Sequence, residues 1–247
     1  MATAFSLVCH KFMIKAEKIS ELTTNRLSVY LRCLNLLHEE EIKTISSENL
    51  ANRFHLNSAQ IRKDLAYFGE FGVRGVGYYV DELRATLTKI LGLDKENRVG
   101  IIGAGRLGAS LADYYGFKRS NFNVIALFDV DEDKIGTRVG KAEILVHDFK
   151  QFAQFVQEEE IDLAVIAVPA DFAQDVLDEI TKAGVKAVLN FAPSSLQKSV
   201  DVKLKTVDLT ISLESLSYFL AQPMTEIAQK NNGVKQPSHR FEQQNNN

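Results

Sequence analysis

The stretch RVGIIGAGRLGASLADYY, residues 98–115, joins a short run of β-branched apolar residues to the turn GAGRLG and then to a helical pattern. Strand, glycine turn and helix in that order open a βαβ unit built around a pyrophosphate, and they leave few other folds available. Gly103 allows the tight turn, Gly105 lets the backbone approach the phosphates, and Gly108 lets the helix pack closely on its strand. Ala104, Arg106 and Leu107 complete the loop whose amides face the anion. The next strand pattern, FNVIALFDVD, ends in Asp129, whose carboxylate can accept hydrogen bonds from a ribose diol and would repel a 2′-phosphate. NAD is therefore favoured over NADP, although Arg106 could also meet a phosphate.

Further apolar runs follow: KAEILVHD near 141, IDLAVIAVP from Ile161, VKAVLNFAP from Val185 and a shorter TVDLTIS from Thr206. Helical patterns separate most of them. In DFAQDVLDEITKAG, Phe172, Val176, Leu177 and Ile180 recur at helical spacing, and Gly184 can close the helix. The alternation predicts an α/β, doubly wound parallel sheet with its ligand crevice at the carboxyl ends of the strands. VPAD and NFAP end two strands on that rim. Val168, Pro169, Asn190 and Phe191 are thus candidates for the nicotinamide side, while an equal reading has Pro169 and Pro193 merely stopping their strands.

An oxidoreductase is the obvious owner of such a domain, yet little chain remains to make one. After the expected sheet comes one helical pattern, LESLSYFLAQ, and then a polar Asn/Gln-rich tail from Gln229 that is expected to be disordered. His147 is the only histidine of the sheet region, and a lone histidine in a βα loop is more often a bystander than a proton relay. No catalytic residue is assigned. The chain's 247 residues are 45% hydrophobic, enough for two domains, and LDKENR after Gly92 is a plausible joint between them.

The first ninety residues therefore carry the rest of the function. NRLSVYLRCLNLLHEE places Leu27, Tyr30, Leu31, Leu34 and Leu37 on one helical face, and SSENLANRF begins a second helix with a serine cap. A third starts at Asn57, which has capping-box spacing with Gln60 and buries Ile61, Leu65 and Phe68. Its outward surface, with Ser58 and Ala59 at the start, Gln60 and Arg62 on the flanks, and Lys63 and Tyr67 opposite the apolar stripe, suits a helix entering a DNA major groove. GEFGVRGVGYYV reads as a tight hairpin with Arg74 and Gly75 at its tip, a wing able to reach a minor groove. A net charge of −3 argues against indiscriminate nucleic-acid binding. Residues 53–74, however, hold Arg53, Arg62, Lys63 and Arg74 against Asp64 and Glu70, which focuses positive charge on the helix and wing.

No apolar run approaches the roughly 20 residues of a membrane span. Cys9 and Cys33 form no CxxC pair and suit a reducing, cytoplasmic setting. The five histidines show no metal-ligand spacing, so no metal is expected.

From about Arg26 to Phe219 the sequence resembles the Rex redox-sensing transcriptional repressors, through QIRKDLAYFGEFGVRGVGY, VGIIGAGRLGASLADY, ALFDVDEDKIG, VPADFAQ and GVKAVLNFAPSSL in that order. The resemblance implies a winged helix-turn-helix domain and a Rossmann domain that senses NADH against NAD⁺. It also implies a homodimer on palindromic operator DNA, in which a C-terminal helix swaps into the partner. Interdomain coupling roles fall on Arg32, Tyr114 and Asp208 by that resemblance alone. The expected divisions are an N-terminal extension over 1–19, a winged-helix domain over 20–94, an NAD(H)-binding domain over 95–212, a swapped helix over 213–228 and a tail over 229–247. The stretch before Met13 lies outside the family pattern and is expected to be dispensable. The competing reading is a small NAD-dependent oxidoreductase, which leaves the helix-turn-helix and wing without work.

Overall fold

The computed structural model describes residues 19–221. The stretch before Met13, expected to be dispensable, and the tail from Gln229 lie outside them. Two compact units emerge, one from the chain up to Arg98 together with Tyr114–Asn123, the other from Val99–Asp113 together with the chain from Val124.

In the first unit, helix α1 (Glu21–Glu39) starts where the Ser20 hydroxyl accepts from the Thr23 amide, and it buries Leu27, Tyr30, Leu31, Cys33, Leu34 and Leu37. Full burial of each such leucine contributes about 1.5–3 kcal/mol. Strand β1 (Thr44–Ile45) precedes α2 (Ser47–Phe54), capped by Ser46. His55, left-handed at φ 54°, then turns the chain into α3 (Ser58–Phe68), where Asn57 accepts from the Gln60 amide at 2.9 Å. The capping box is only half made, because the Gln60 side chain donates to Asp64 instead of reaching back.

Strands β2 (Gly72–Val73) and β3 (Gly77–Tyr79) pair antiparallel, and β1 joins on the far side of β3. Between them the Val76 amide bonds Val73 at 3.1 Å, with Gly75 at φ +82° supplying the positive φ that this turn requires. Helix α4 (Val80–Ile90) closes the unit by burying Val80, Leu83 and Leu87. Helix-turn-helix, hairpin and closing helix make a winged helix. The short helix α6 (Tyr115–Arg119) also belongs to this unit.

A seven-stranded sheet dominates the second unit. Its strands are β4 (Asn97–Ile102), β5 (Phe122–Asp129), β6 (Arg138–Val139), β7 (Ile144–Asp148), β8 (Leu163–Ile166), β9 (Ala187–Asn190) and β10 (Lys203–Thr206), in the order β10-β9-β8-β4-β5-β7-β6. β10–β9, β9–β8, β8–β4 and β5–β7 pair parallel, and the edge strand β6 runs antiparallel to β7. Helices α5 (Arg106–Ala112), α7 (Phe152–Glu158) and α8 (Ala170–Lys182) link the strands. The order reverses between β4 and β8, the switch point at which doubly wound sheets hold ligands.

Two local expectations are corrected. The last strand is Lys203–Thr206, not a run starting at Thr206, and the terminal helix α9 begins at Leu209 and runs to Ala221. Val207, Leu209 and Ile211 alternate like a strand, but Leu209, Leu213, Leu216 and Leu220 also repeat like a helix. The Asp208 carboxylate decides between them by accepting from the Thr210 amide at 2.8 Å and from its hydroxyl. In α8, Val176, Leu177 and Ile180 are buried as expected, whereas Phe172 is 60% exposed at the first turn.

Candidate functional site

Gly103 follows β4 at φ +105°, where a Cβ would lie 2.5 Å from the Ala167 carbonyl oxygen. At Gly108 a Cβ would come within 1.8 Å of the Gly103 carbonyl oxygen, so helix and turn meet at a spacing that only glycine permits. The Gly103 amide itself donates to Phe128 at 2.7 Å, and the Ala104 amide donates to Asp129 Oδ2 at 2.8 Å. The glycine turn is thereby tied to the end of β5.

Beside it opens a cavity of about 480 Å³. Gly103, Gly105, Asp129, Val168 and Pro169 line it, joined by Phe172, whose exposed ring had looked like core in the sequence. Lys134 lies there too, with Nζ 3.2 Å from Asp129 Oδ2 and 3.1 Å from Asp131 Oδ2. Burial pushes the Asp129 carboxyl up. The backbone amides of Asp131 and Ala104 and the Lys134 ammonium outweigh that and hold it below the usual carboxylate range. The acid is thus ionised and facing the cavity, as an acceptor for a diol must be. Lys134 was missed because a lysine in DEDK looks solvated.

Other candidates stand elsewhere. Arg106 and Leu107 are exposed on the first turn of α5 and do not line the cavity. Asn190 is fully buried, and its amide donates to the Ala192 carbonyl at 3.0 Å while its oxygen accepts from the Ala192 amide at 2.9 Å. That side chain shapes its own turn, and Phe191 follows on the same turn. Pro169 both borders the cavity and precedes α8 as its N-cap, so the two readings of this proline are compatible. His147 packs on the rings of Phe128 and Phe155, and burial pushes its pKa down.

In the winged helix, Ala59, Arg62, Lys63, Arg74 and Gly75 are exposed, while Ser58, Gln60 and Tyr67 are half-buried. Arg62 donates to the Ser47 hydroxyl at 2.7 Å across the two helices of the motif. Asp64, between these basic residues in sequence, is only 4% exposed, held by Arg26, Tyr30 and Gln60. Arg32 is exposed on α1, Tyr114 is 58% exposed at the start of α6 with its ring against Phe117, and Asp208 caps α9. Every described residue of α9 is exposed, including Leu209, Ile211, Leu213, Leu216, Tyr218, Phe219 and Leu220. Among the described residues no helix is long and apolar enough to cross a membrane, and no group of metal-ligating side chains gathers.

Residues 94–194 match a family model described as a CoA binding domain, and residues 18–66 match one for a putative DNA-binding protein N-terminus. The redox-sensing transcriptional repressor Rex of Syntrophomonas wolfei is 49% identical over 84% of this chain and 98% of its own length. The Rex of Carboxydothermus hydrogenoformans is 46% identical over 83% and 98%. Among solved structures, RSP in complex with β-NAD⁺ and operator DNA superposes with a TM-score of 0.79 at 39% identity, covering 87% of this chain and 97% of RSP. RSP in complex with β-NADH gives 0.75 at 37% identity over 86% and 98%. With whole-length identity at this level and both halves of the architecture in place, the chain belongs to the Rex family of redox-sensing transcriptional repressors.

Proposed function

We propose that this protein represses transcription by binding operator DNA through its winged helix and releases it when NADH enters the cavity beside the glycine turn. The observation that carries the reading is RSP, 39% identical, whose structure holds β-NAD⁺ and operator DNA together. The cavity supports it with an ionised Asp129 beside Gly103 and Gly105, a pairing suited to a ribose next to a pyrophosphate.

In this reading Ser58, Ala59, Gln60, Arg62, Lys63 and Tyr67 face the major groove, and Arg74 and Gly75 the minor groove. Gly103–Gly108, Asp129, Val168 and Pro169 hold the dinucleotide. Asn190 and Phe191 act through the shape of the rim. The protein works as a homodimer, with the apolar α9 covered by a second copy, on a palindrome whose half-sites lie about one helical turn or a multiple apart. Its place is the cytoplasm, and it carries out no catalysis. The winged-helix domain is assigned to 20–94, the cofactor domain to 95–212 and the swapped segment to 213–228, of which 222–228 lie outside the described residues.

NADH and NAD⁺ differ at the nicotinamide ring, so only their differential affinity for DNA-bound and DNA-free arrangements can move the protein between them. Arg32, Tyr114 and Asp208 transmit that difference. Calorimetric titration of NADH with and without saturating operator tests the mechanism: NADH binds more weakly to the DNA complex if it holds, and identical affinities overturn it.

A further inference from the structure

The winged helix contains one buried charged side chain among its described residues, and it sits on the recognition helix. Asp64 accepts four hydrogen bonds. Arg26 Nε donates to Oδ2 at 2.5 Å and Arg26 Nη2 to Oδ1 at 2.8 Å; the Tyr30 hydroxyl donates to Oδ2 at 2.9 Å, and Gln60 Nε2 to Oδ1 at 2.8 Å. Three of these donors come from Arg26 and Tyr30, one turn apart on α1, so the carboxylate fastens α3 to the scaffold helix. A bidentate guanidinium fixes direction as well as distance. The fourth donor is different in kind, since Gln60 belongs to the outward flank of α3 and has its own work to do there.

A primary amide has two ends, an oxygen that accepts and a nitrogen that donates two protons. A carboxylate can receive only the nitrogen end. Against Asp64 the Gln60 amide is therefore settled in one of its two flip states, with one N–H committed to the acid. The second N–H and the carbonyl oxygen remain for another partner. One donor and one acceptor side by side are what a glutamine needs to read the N7 and N6 positions of adenine in the major groove. Were the amide free to flip, that pair would be presented in both orders and the base preference would blur.

We infer that Asp64 is a specificity-determining positioning residue of the repressor, orienting the Gln60 amide for base readout while its Arg26 and Tyr30 contacts set the attitude of the recognition helix. This rests on the reading of α3 as the DNA-contacting helix. Asp64 touches no DNA itself and acts through Gln60. Its charge is already neutralised by Arg26, so its contribution falls on base preference and leaves the phosphate-driven, sequence-independent part of affinity alone.

The test is selection of duplexes from a randomised pool by the full-length wild type, D64N, Y30F and Q60A, followed by affinity measurements on the wild-type consensus and its single-base substitutions. Asp64→Asn keeps the shape but lets the amide pair be satisfied in either orientation. The expected result is a consensus that becomes degenerate at the same base pair in D64N as in Q60A. Discrimination there should fall tenfold or more, with unchanged NADH affinity. Adding D64N to Q60A should lose nothing further at that base pair. Tyr30→Phe, which removes one of the four donors and keeps the ring, should shift the same position in the same direction by a smaller factor; if D64N does not fold, this variant carries the test against Q60A. Retention of the wild-type base preferences by folded D64N, or by Y30F where D64N is unfolded, overturns the inference. Degeneracy spread evenly over the whole site in the variant that carries the test also overturns it, since loosened packing alone would produce that. Failure of the wild type to select any consensus would instead remove the DNA-binding reading beneath it.

Discussion

The Ala104 amide donates to Asp129 Oδ2 at 2.8 Å, so the acid that ends one strand also holds the glycine turn that ends its neighbour. Cofactor contact and loop geometry therefore share one carboxylate, and substitutions at 129 act on both.

Asp129→Ala should accordingly weaken NADH binding and lower stability by about 1–3 kcal/mol, because a half-buried amide loses its acceptor. It should also narrow the preference for NADH over NADPH, since the repelling charge is gone and the Lys134 ammonium keeps only Asp131 as its acidic partner. Calorimetry with both cofactors, alongside denaturant unfolding, checks this. Wild-type affinity and selectivity would move the role to Asp131.

Lys63→Ala should reduce the slope of log affinity against log salt by about 1, uniformly across sequences, if the exposed ammonium meets a phosphate. Arg62→Ala should do the same, with a small added loss of stability because Arg62 also bonds Ser47. A double variant that binds operator as tightly as wild type would take α3 out of the interface.

Coupling between the sites is reciprocal, so operator must weaken NADH by the factor by which NADH weakens operator, typically about 1–3 kcal/mol. Tyr114→Phe and Asp208→Asn should shrink that coupling more than either separate affinity. For Asp208 a control is needed, since its carboxylate also caps α9 and the Thr210 hydrogen bonds hold it below the usual carboxylate range. Asp208→Ser keeps a capping side chain, and it should lose coupling while α9 stays formed.

The winged helix should lose stability in acid through Asp64. Burial raises its pKa, but hydrogen bonds from Arg26, Gln60 and Tyr30 bring it below the ordinary value. A depressed folded pKa means that the contribution is fully present above the unfolded value of about 3.9 and is lost as pH falls through the folded one. Urea midpoints between about pH 2 and pH 5 should therefore fall less steeply in Asp64→Asn than in wild type. Parallel curves would mean that the acid carries no net linkage.

Leu213→Asp with Leu216→Asp should shift the protein toward monomer in sedimentation velocity, because charges on the face assigned to the partner cannot be desolvated unpaired. Dimer at unchanged concentration would assign the contact to another surface.

The patterns with strong local signals could be read directly: the helix-turn-helix, the wing, the glycine turn and the alternation of strands and helices that makes a parallel sheet. What escaped was of two kinds. At Val207–Ile211 a two-residue and a helical period fit the same letters, and only the side chain of Asp208 broke the tie. Asp64 was counted among surface charges flanking Arg62 and Lys63, although its place three residues after Ile61 points it inward. Its partners Tyr30 and Arg26 lie 34 and 38 residues away on α1, beyond the reach of any local pattern. Asn190 escaped for the opposite reason: a polar residue at a strand end suggests a ligand, and here it is spent on its own turn.

The sheet's two borders differ from α9 in what they offer to other chains. At one, β10 carries exposed Lys203 and Lys205; at the other, β6 is two residues long and includes the exposed Arg138. Charged and abbreviated margins resist strand-by-strand recruitment of further copies. Growth into fibres is thereby discouraged where the backbone could template it, and the apolar α9 is left as the surface on which the proposed twofold mate would close.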